Sequence, residues 1–143
     1  MTRKHARRRA VIPQPPRGLR KRLTSEQVRD LSLVHHVNLD AIAMGDANEL
    51  TLWHAVAGAL TWSRVATMLR HREAEMVQQL AVLEALVTRY GRTGRILFTG
   101  PEYQLAKAGV RLMDDLAELV DEPTALAAAD WSEARIEQLK ATP

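Results

Sequence analysis

From about residue 24 onward, apolar residues in this chain recur every three or four positions, which is the period of an α-helix with one buried face. The first stripe begins after Thr24 and Gln27, which have the spacing of a capping box, and Gly45 suits a C-terminal cap. Its apolar positions are Val28, Leu31, Val34 and Ile42. This pattern predicts a first helix from residue 24 or 25 to the glycine.

A second helix is expected to begin at Asp46 and Glu49, which repeat the capping spacing. Its apolar positions are Leu50, Trp53, Ala57 and Leu60. A near-heptad stripe then continues for almost thirty residues through Trp62, Val65, Leu69, Met76, Leu80, Leu83, Val87 and Tyr90. Gly58 and Thr61 indicate a break between the second and third helices, and one continuous helix is the alternative.

The remaining pattern predicts two more helices after a turn at Gly91 and Gly94. The segment Thr99–Glu102 has the spacing of a capping box, and the helix that follows is expected to end before Pro123. Its apolar positions are Leu105, Leu112, Leu116 and Leu119. The segment Asp130–Glu133 is expected to cap a last, short helix.

Each predicted stripe leaves an opposite polar face, so no helix is stable in isolation and all of them need a shared core. No alternating stretch of convincing length indicates a β-strand. We therefore predict an all-α protein, with an antiparallel bundle of four to five helices over residues 23–143 and a separate arm over residues 1–22. The long third stripe could instead pair with its counterpart in a second chain, which makes a homodimer the alternative.

The arm is set apart by its charge. Residues 1–22 hold nine of the 20 Lys and Arg residues and no Asp or Glu, whereas the remainder has a formal charge of −6. A segment of like charge with few large apolar groups buries too little surface to offset its conformational entropy, and the Pro-rich residues 10–18 favour extended geometry. We expect a disordered or extended basic arm that is available to a polyanion, with the backbone of DNA or RNA as first candidate.

The composition and residue spacing argue against several kinds of functional site. The absence of cysteine excludes disulfides, thiolate nucleophiles and Cys-based metal sites. His35 and His36 are adjacent, whereas a helical metal pair needs i,i+4 spacing, and the scattered serines have no nucleophile-elbow context. The sequence has no apolar run that could cross a membrane and no signal-peptide core. We expect a cytoplasmic, non-enzymatic protein with no cofactor, no metal and no membrane partner.

Lys and Arg are the candidate nucleic-acid contacts, since each one that neutralises a phosphate releases condensed counterions without reading a base. The basic turn Arg89–Arg95 contains two glycines and could also hold a phosphate, although capping alone explains cations and glycine at a helix C-terminus. The predicted nucleic-acid-binding residues are Arg3, Lys4, Arg7, Arg8, Arg9, Arg17, Arg20, Lys21, Arg22, Arg92 and Arg95.

An acidic edge on the fourth helix supports a different function. Its carboxylates are expected on a solvated face, but they could also meet a basic partner or hold the chain's own arm. Under this alternative the protein is an inhibitor or adaptor that binds a host or phage protein, and it acts as a nucleic-acid mimic. The candidate contacts are Asp114, Asp115 and Glu118.

The stretch NLDAIAMGDANELTLWHAVAGALTWSRVA at residues 38–66 follows the basic, Pro-containing arm and precedes short capped helices. In this layout the chain resembles small uncharacterised helical proteins of phages and mobile elements of Gram-negative bacteria. The resemblance implies a regulator or inhibitor of host machinery, and it carries over no functional residue.

Overall fold

The computed structural model describes residues 20–141, so most of the predicted arm lies outside the described residues. Within that range the chain forms five α-helices and no β-strand, which confirms the all-α prediction. The helices are α1 (Ser25–Met44), α2 (Glu49–Leu69), α3 (Glu73–Thr93), α4 (Gly100–Leu119) and α5 (Glu122–Ala141).

Two of the predicted capping boxes are confirmed. The Thr24 hydroxyl accepts a hydrogen bond from the Gln27 N–H at 3.1 Å, while the Gln27 side chain accepts from the Thr24 N–H at 2.8 Å. Thr99 and Glu102 make the same reciprocal pair at the start of α4. Gly45 ends α1 at a φ of 78°, a conformation that a residue with a Cβ adopts only at a cost. These signals involve backbone groups a few residues away, so the sequence displays them directly.

The predicted Asp46–Glu49 cap is wrong. Asn48 caps α2 instead, because its side-chain oxygen accepts a hydrogen bond from the Thr51 N–H at 2.9 Å. The buried face of the first turn shifts accordingly: Leu52 is buried, whereas Leu50, expected in the core, is exposed.

The boundary between α2 and α3 is the turn Arg70–Arg72, so the predicted break at Gly58 and Thr61 is wrong, and so is a single continuous helix. Gly58 serves packing instead, because a Cβ there would lie 3.1 Å from the ring of His35 on α1. Thr61 remains helical, and its hydroxyl donates to the carbonyl of Ala57 at 2.8 Å. Small and polar residues that suggest a boundary in the sequence are here requirements of helix packing.

α5 begins at Glu122, well before the predicted cap at Asp130, and it is as long as the other helices. Asp121 provides the cap, since its Oδ1 accepts a hydrogen bond from the Thr124 N–H at 2.9 Å. Pro123 occupies the first turn of α5, where its missing N–H costs no helical hydrogen bond. The proline therefore marks the start of α5 as well as the region where α4 ends.

Four helices form a closed ring in which α1 packs on α2, α2 on α3, α3 on α4 and α4 on α1. The backbone of α5 approaches α2 alone, on the outer side of that ring. The direction of α5 follows from two contacts, in which Arg64 lies over the ring of Trp131 and Lys140 lies over the ring of Trp53. α5 is thus antiparallel to α2 and covers its outer face.

This arrangement explains why α2 lacks a clear polar stripe, since a helix covered on both sides is apolar around most of its surface. Its buried residues are Leu52, Val56, Ala59, Leu60, Trp62, Val65 and Ala66. α5 meets it with mostly small side chains at every fourth position, namely Thr124, Ala128, Ser132 and Ile136. The Ser132 hydroxyl donates to the carbonyl of Ala57 at 3.0 Å, so the two helices approach closely.

A buried amide lies at the contact between α3 and α4. Gln79 on α3 is 3% exposed and rests against Gly109 on α4, where a Cβ would come within 2.1 Å of its Oε1. Gly109 is therefore required by the close approach of a side chain. Gln79 also borders a cavity of about 20 Å³, which is room for a single water molecule.

We expect Gly109→Ala to lower the free energy of unfolding by roughly 1–3 kcal/mol, because the added Cβ would overlap the buried Gln79 side chain and force it to shift. Urea-induced unfolding measures the change. Gly91→Ala is the matched control, since nothing lies within 4 Å of a Cβ at that helical position and alanine is the better helix former. Equal effects of the two substitutions would contradict the role given to Gly109.

We expect Asp121→Ala to cost about 0.5–2 kcal/mol of stability, because the N–H of Thr124 loses its acceptor at the start of α5. Asp130→Ala removes an exposed carboxylate from the same helix and is expected to change stability by less than about 0.5 kcal/mol. Thermal and urea unfolding compare the two variants. A larger loss of stability in Asp130→Ala than in Asp121→Ala would mean that α5 is capped at Asp130, as the sequence predicts.

Candidate functional site

The described chain begins beside the start of α5. Arg22 and Asp121 pair through their backbones in an antiparallel bridge, and the Glu122 N–H donates to the carbonyl of Lys21 at 2.7 Å. The ammonium of Lys21 lies 3.9 Å from the carboxylate of Glu122. Residues 20–22, which we call the base of the arm, are therefore fixed to the bundle.

Asp121 joins the base of the arm to the start of α5. Burial alone would raise the pKa of Asp121, but hydrogen bonds from Thr124 and the positive charge of Arg20 hold the pKa below its usual value. The carboxylate thus stays ionised while it caps α5 and attracts the base of the arm.

The turn between α2 and α3 presents arginine where glycine is the usual choice. Arg70 has a φ of 51° and Arg72 a φ of 53°, and no other non-glycine residue in the described range has a positive φ. This conformation costs roughly 1 kcal/mol per residue relative to glycine. Arg72 donates from Nε to Glu75 at 3.0 Å and from Nη1 to Asp115 at 3.4 Å. Arg70 and His71 are exposed on the turn.

The hydrogen bonds between Arg72 and Glu75 stabilise both charged forms. They raise the pKa of the guanidinium and lower the pKa of the carboxylate. Because both side chains face solvent, we assign this pair no appreciable contribution to stability. Its effect is to hold the Arg72 side chain against the end of α4.

Helix directions bring the base of the arm and this turn to the same end of the bundle. Arg72 joins the start of α3 to the end of α4, and Arg89 joins the end of α3 to Glu102 at the start of α4. α3 and α4 are therefore antiparallel, like α2 and α5. We call the end formed by residues 20–22, 70–72 and 120–122 the arm end.

Arg92 and Arg95 lie at the opposite end, where α3 finishes and α4 begins. Gly94 is the left-handed cap of α3 at a φ of 70°, while Gly91 stays helical. α2 has 21 residues, so the two ends are separated by about 30 Å. The predicted nucleic-acid-binding residues within the described range thus fall at two ends of the bundle, with the base of the arm at one and these two arginines at the other, while Arg3, Lys4, Arg7, Arg8, Arg9 and Arg17 lie outside the described residues.

The three predicted acidic contacts are also separated. Asp114 faces α1 and forms a hydrogen bond of 2.9 Å with Nε2 of His36. Asp115 lies on the exposed side of α4 and pairs with Arg72, while Glu118 is exposed. Of the three predicted contacts, Asp115 and Glu118 are therefore the exposed ones, and Asp115 has a cationic partner within the chain.

A polar contact joins α1 and α2 that the sequence did not predict. The Nε1–H of Trp62 donates to Nε2 of His35 at 2.8 Å, with the two rings edge to face. Burial lowers the pKa of His35, and the neighbouring His36 adds to this effect while Asp114 opposes it. His35 is therefore neutral near pH 7, with its proton on Nδ1. The two residues are far apart in sequence, so no local spacing reveals the pair.

Within residues 20–141, no three His, Asp or Glu side chains converge so that they could hold a metal ion. None of the five helices in this range is long and apolar enough to cross a membrane.

Comparison with known proteins adds no assignment. No protein-family profile matches the chain, and neither curated proteins nor solved structures give a match. A functional proposal must therefore be built on the charge distribution and geometry of the chain itself.

We expect the stability contributed by the Trp62–His35 contact to be lost as the pH falls below about 6.5, the ordinary pKa of histidine. In that range the unfolded chain binds a proton that the folded chain, with its lowered His35 pKa, does not. Urea unfolding between about pH 7.5 and about pH 5.5 measures this slope, above the range in which carboxylates titrate.

In His35→Gln the side-chain oxygen can still accept a hydrogen bond from Trp62, but the amide cannot titrate. The free energy of unfolding of this variant is therefore expected to change less with pH than that of the unchanged protein. His54→Gln is the control, because His54 is an exposed residue of α2 and its replacement leaves the Trp62–His35 contact in place. An unchanged slope in His35→Gln would show that the pH dependence arises elsewhere.

Proposed function

We propose that this chain is a non-enzymatic accessory or regulatory protein that contacts the phosphate backbone of DNA or RNA through its arm end. The observation that carries the proposal is the convergence of two cationic elements at that end. The base of the arm is anchored there, and the turn Arg70–Arg72 lies at the same end. Residues 1–19, which precede the base of the arm in the sequence, contain six further Lys and Arg residues.

The chemistry of these residues suits phosphate. Guanidinium groups donate in a planar fork that matches phosphate oxygens, and most of the cations of the arm are arginine. The arm contains no Phe, Tyr or Trp, so it lacks the stacking groups of a typical single-strand binder. Duplex or structured nucleic acid is therefore the better candidate than an unpaired strand.

The backbone of the α2–α3 turn favours a functional interpretation. Arginine at a positive φ is less stable than glycine, and strained positions of this kind often serve function. Arg70 gains no ion pair among the described residues in return for this strain. Its exposed guanidinium fits a role in orienting a polyanion that the arm has captured.

The alternative function, an inhibitor that mimics nucleic acid with its acidic surface, has less support. Asp114 is engaged with His36 on α1, and Asp115 is paired with Arg72. Glu118 alone is too small a charge for a mimic of a phosphate backbone. The bundle is better suited to present the arm than to imitate its target.

We expect the combined change Arg7→Ala, Arg8→Ala and Arg9→Ala to weaken binding to duplex DNA or RNA. The slope of log affinity against log salt is expected to fall by up to about 3, since each lost phosphate contact removes about 0.9. Fluorescence anisotropy over a range of salt concentrations measures affinity and slope together. Arg70→Ala should reduce affinity by a smaller amount.

The control is the pair Arg92→Ala and Arg95→Ala, which removes positive charge from the opposite end. It is expected to leave the salt slope close to that of the unchanged chain. Equal losses in the two variants would show that net charge matters and the location of the arm does not. A triple variant with unchanged binding would remove the arm from the function.

A further inference from the structure

An apolar groove runs along the outside of the bundle between α1 and α5. These two helices both pack on α2 without approaching each other, and α2 forms the floor. The groove has a volume of about 520 Å³, and its main apolar lining is Leu23, Leu31, Val34, Trp62, Ala125 and Leu126. We call it the α1–α5 groove.

The walls of this groove expose aliphatic surface. Its floor is partly filled, since the ring of His35 packs against Gly58 of α2. α5 contacts α2 mainly through small residues and leaves larger side chains at the groove margin. Val34 is 53% exposed and Leu126 is 59% exposed, so aliphatic surface on both walls faces solvent.

The charges that line the groove have one sign. Asp30 lies on the α1 side and Glu122, which also has Lys21 at 3.9 Å, lies on the α5 side, and no Lys or Arg is among its lining residues. An occupant that matches the groove therefore has aliphatic side chains for the floor and walls and cations beside them.

The chain itself contains such a segment close by. Leu23 lies in the groove wall, and the base of the arm is fixed to the start of α5, so residues 1–19 continue from this point. They contain one pair of adjacent β-branched aliphatic residues, Val11 and Ile12. Three arginines precede the pair at residues 7–9, and Arg17 follows it.

The length of the connection permits this docking. The chain from Ile12 to Arg20 spans up to about 27 Å when extended, whereas the stretch of α1 along the groove, Gln27–His35, is about 12 Å long. A short tether also gives the segment an effective concentration in the millimolar range, which a separate molecule rarely reaches.

From these observations we infer that the α1–α5 groove is the docking site of the chain's own Val11–Ile12 segment, with flanking arginines directed toward Asp30 and Glu122. The inference goes beyond the proposed contact with nucleic acid and does not depend on it. Docking requires only the apolar pair, so the arginines at residues 7–9 could still meet phosphates.

The absence of native cysteine allows a direct test in the full-length chain. The paired substitutions Ile12→Cys and Leu126→Cys place one thiol on the segment and one at the groove. Mild oxidation without nucleic acid, followed by mass spectrometry, measures how fast the disulfide forms within one molecule. We expect it to form at least about tenfold faster than in the control pair.

The control combines Ile12→Cys with Val77→Cys. Val77 is 60% exposed, close to the value for Leu126, and lies near the start of α3 at the arm end, but outside the groove. Similar rates for the two pairs would overturn the inference. Disulfides that join two molecules would overturn it too, because the occupant would then be a second copy.

A second measurement covers the case in which the disulfide strains the fold. In chains carrying only Leu126→Cys, we expect the added changes Val11→Asp and Ile12→Asp to speed alkylation of that thiol several-fold. The same two changes should not affect alkylation in a chain carrying only Val77→Cys. If the Leu126→Cys thiol reacts at the same rate with or without the aspartates, the segment does not occupy the groove. Neither measurement uses nucleic acid. A negative result would therefore overturn the docking of the Val11–Ile12 segment without affecting the proposed contact with the phosphate backbone.

Discussion

The structure depends on the need to cover α2 on both sides. This helix is apolar around most of its surface, so four helices alone would leave its outer face in water. α5 supplies the missing cover by approaching closely through Ala128 and Ser132. The start of α5 in turn holds the base of the arm through Asp121 and Glu122. The position of the base of the arm is thus a consequence of how one hydrophobic helix is buried.

Local signals predicted some helix ends correctly and others wrongly, since the caps expected at Asp46 and Asp130 lie at Asn48 and Asp121. The capping boxes at Thr24 and Thr99 need only neighbouring backbone groups, and both are confirmed. The α2–α3 boundary was beyond prediction because arginines, not glycines, adopt the left-handed conformation there. Gly58 suggested a boundary in the sequence, but it makes room for the His35 ring on another helix. Local spacing in the sequence cannot distinguish a residue that makes room for another helix from a residue that ends its own helix.

The candidate site was predictable in its chemistry and not in its layout. The concentration of Lys and Arg in residues 1–22 is plain from the sequence, and so is the absence of cysteine. Helix directions decide which of the other cations join the base of the arm. They bring Arg70 to the arm end and place Arg92 and Arg95 about 30 Å away. Likewise, Asp114 belongs to the α1–α4 contact, where it forms a hydrogen bond with His36, a residue far from it in the sequence.

The pairing of Arg22 with Asp121 joins residues about a hundred positions apart in the chain. Closing a loop of that length has an entropic cost, which the packing of the helices between the two residues offsets. The attachment of residues 20–22 therefore depends on the assembled bundle, and a change that loosens the helices far from the charges would also release the point from which the cationic segment extends.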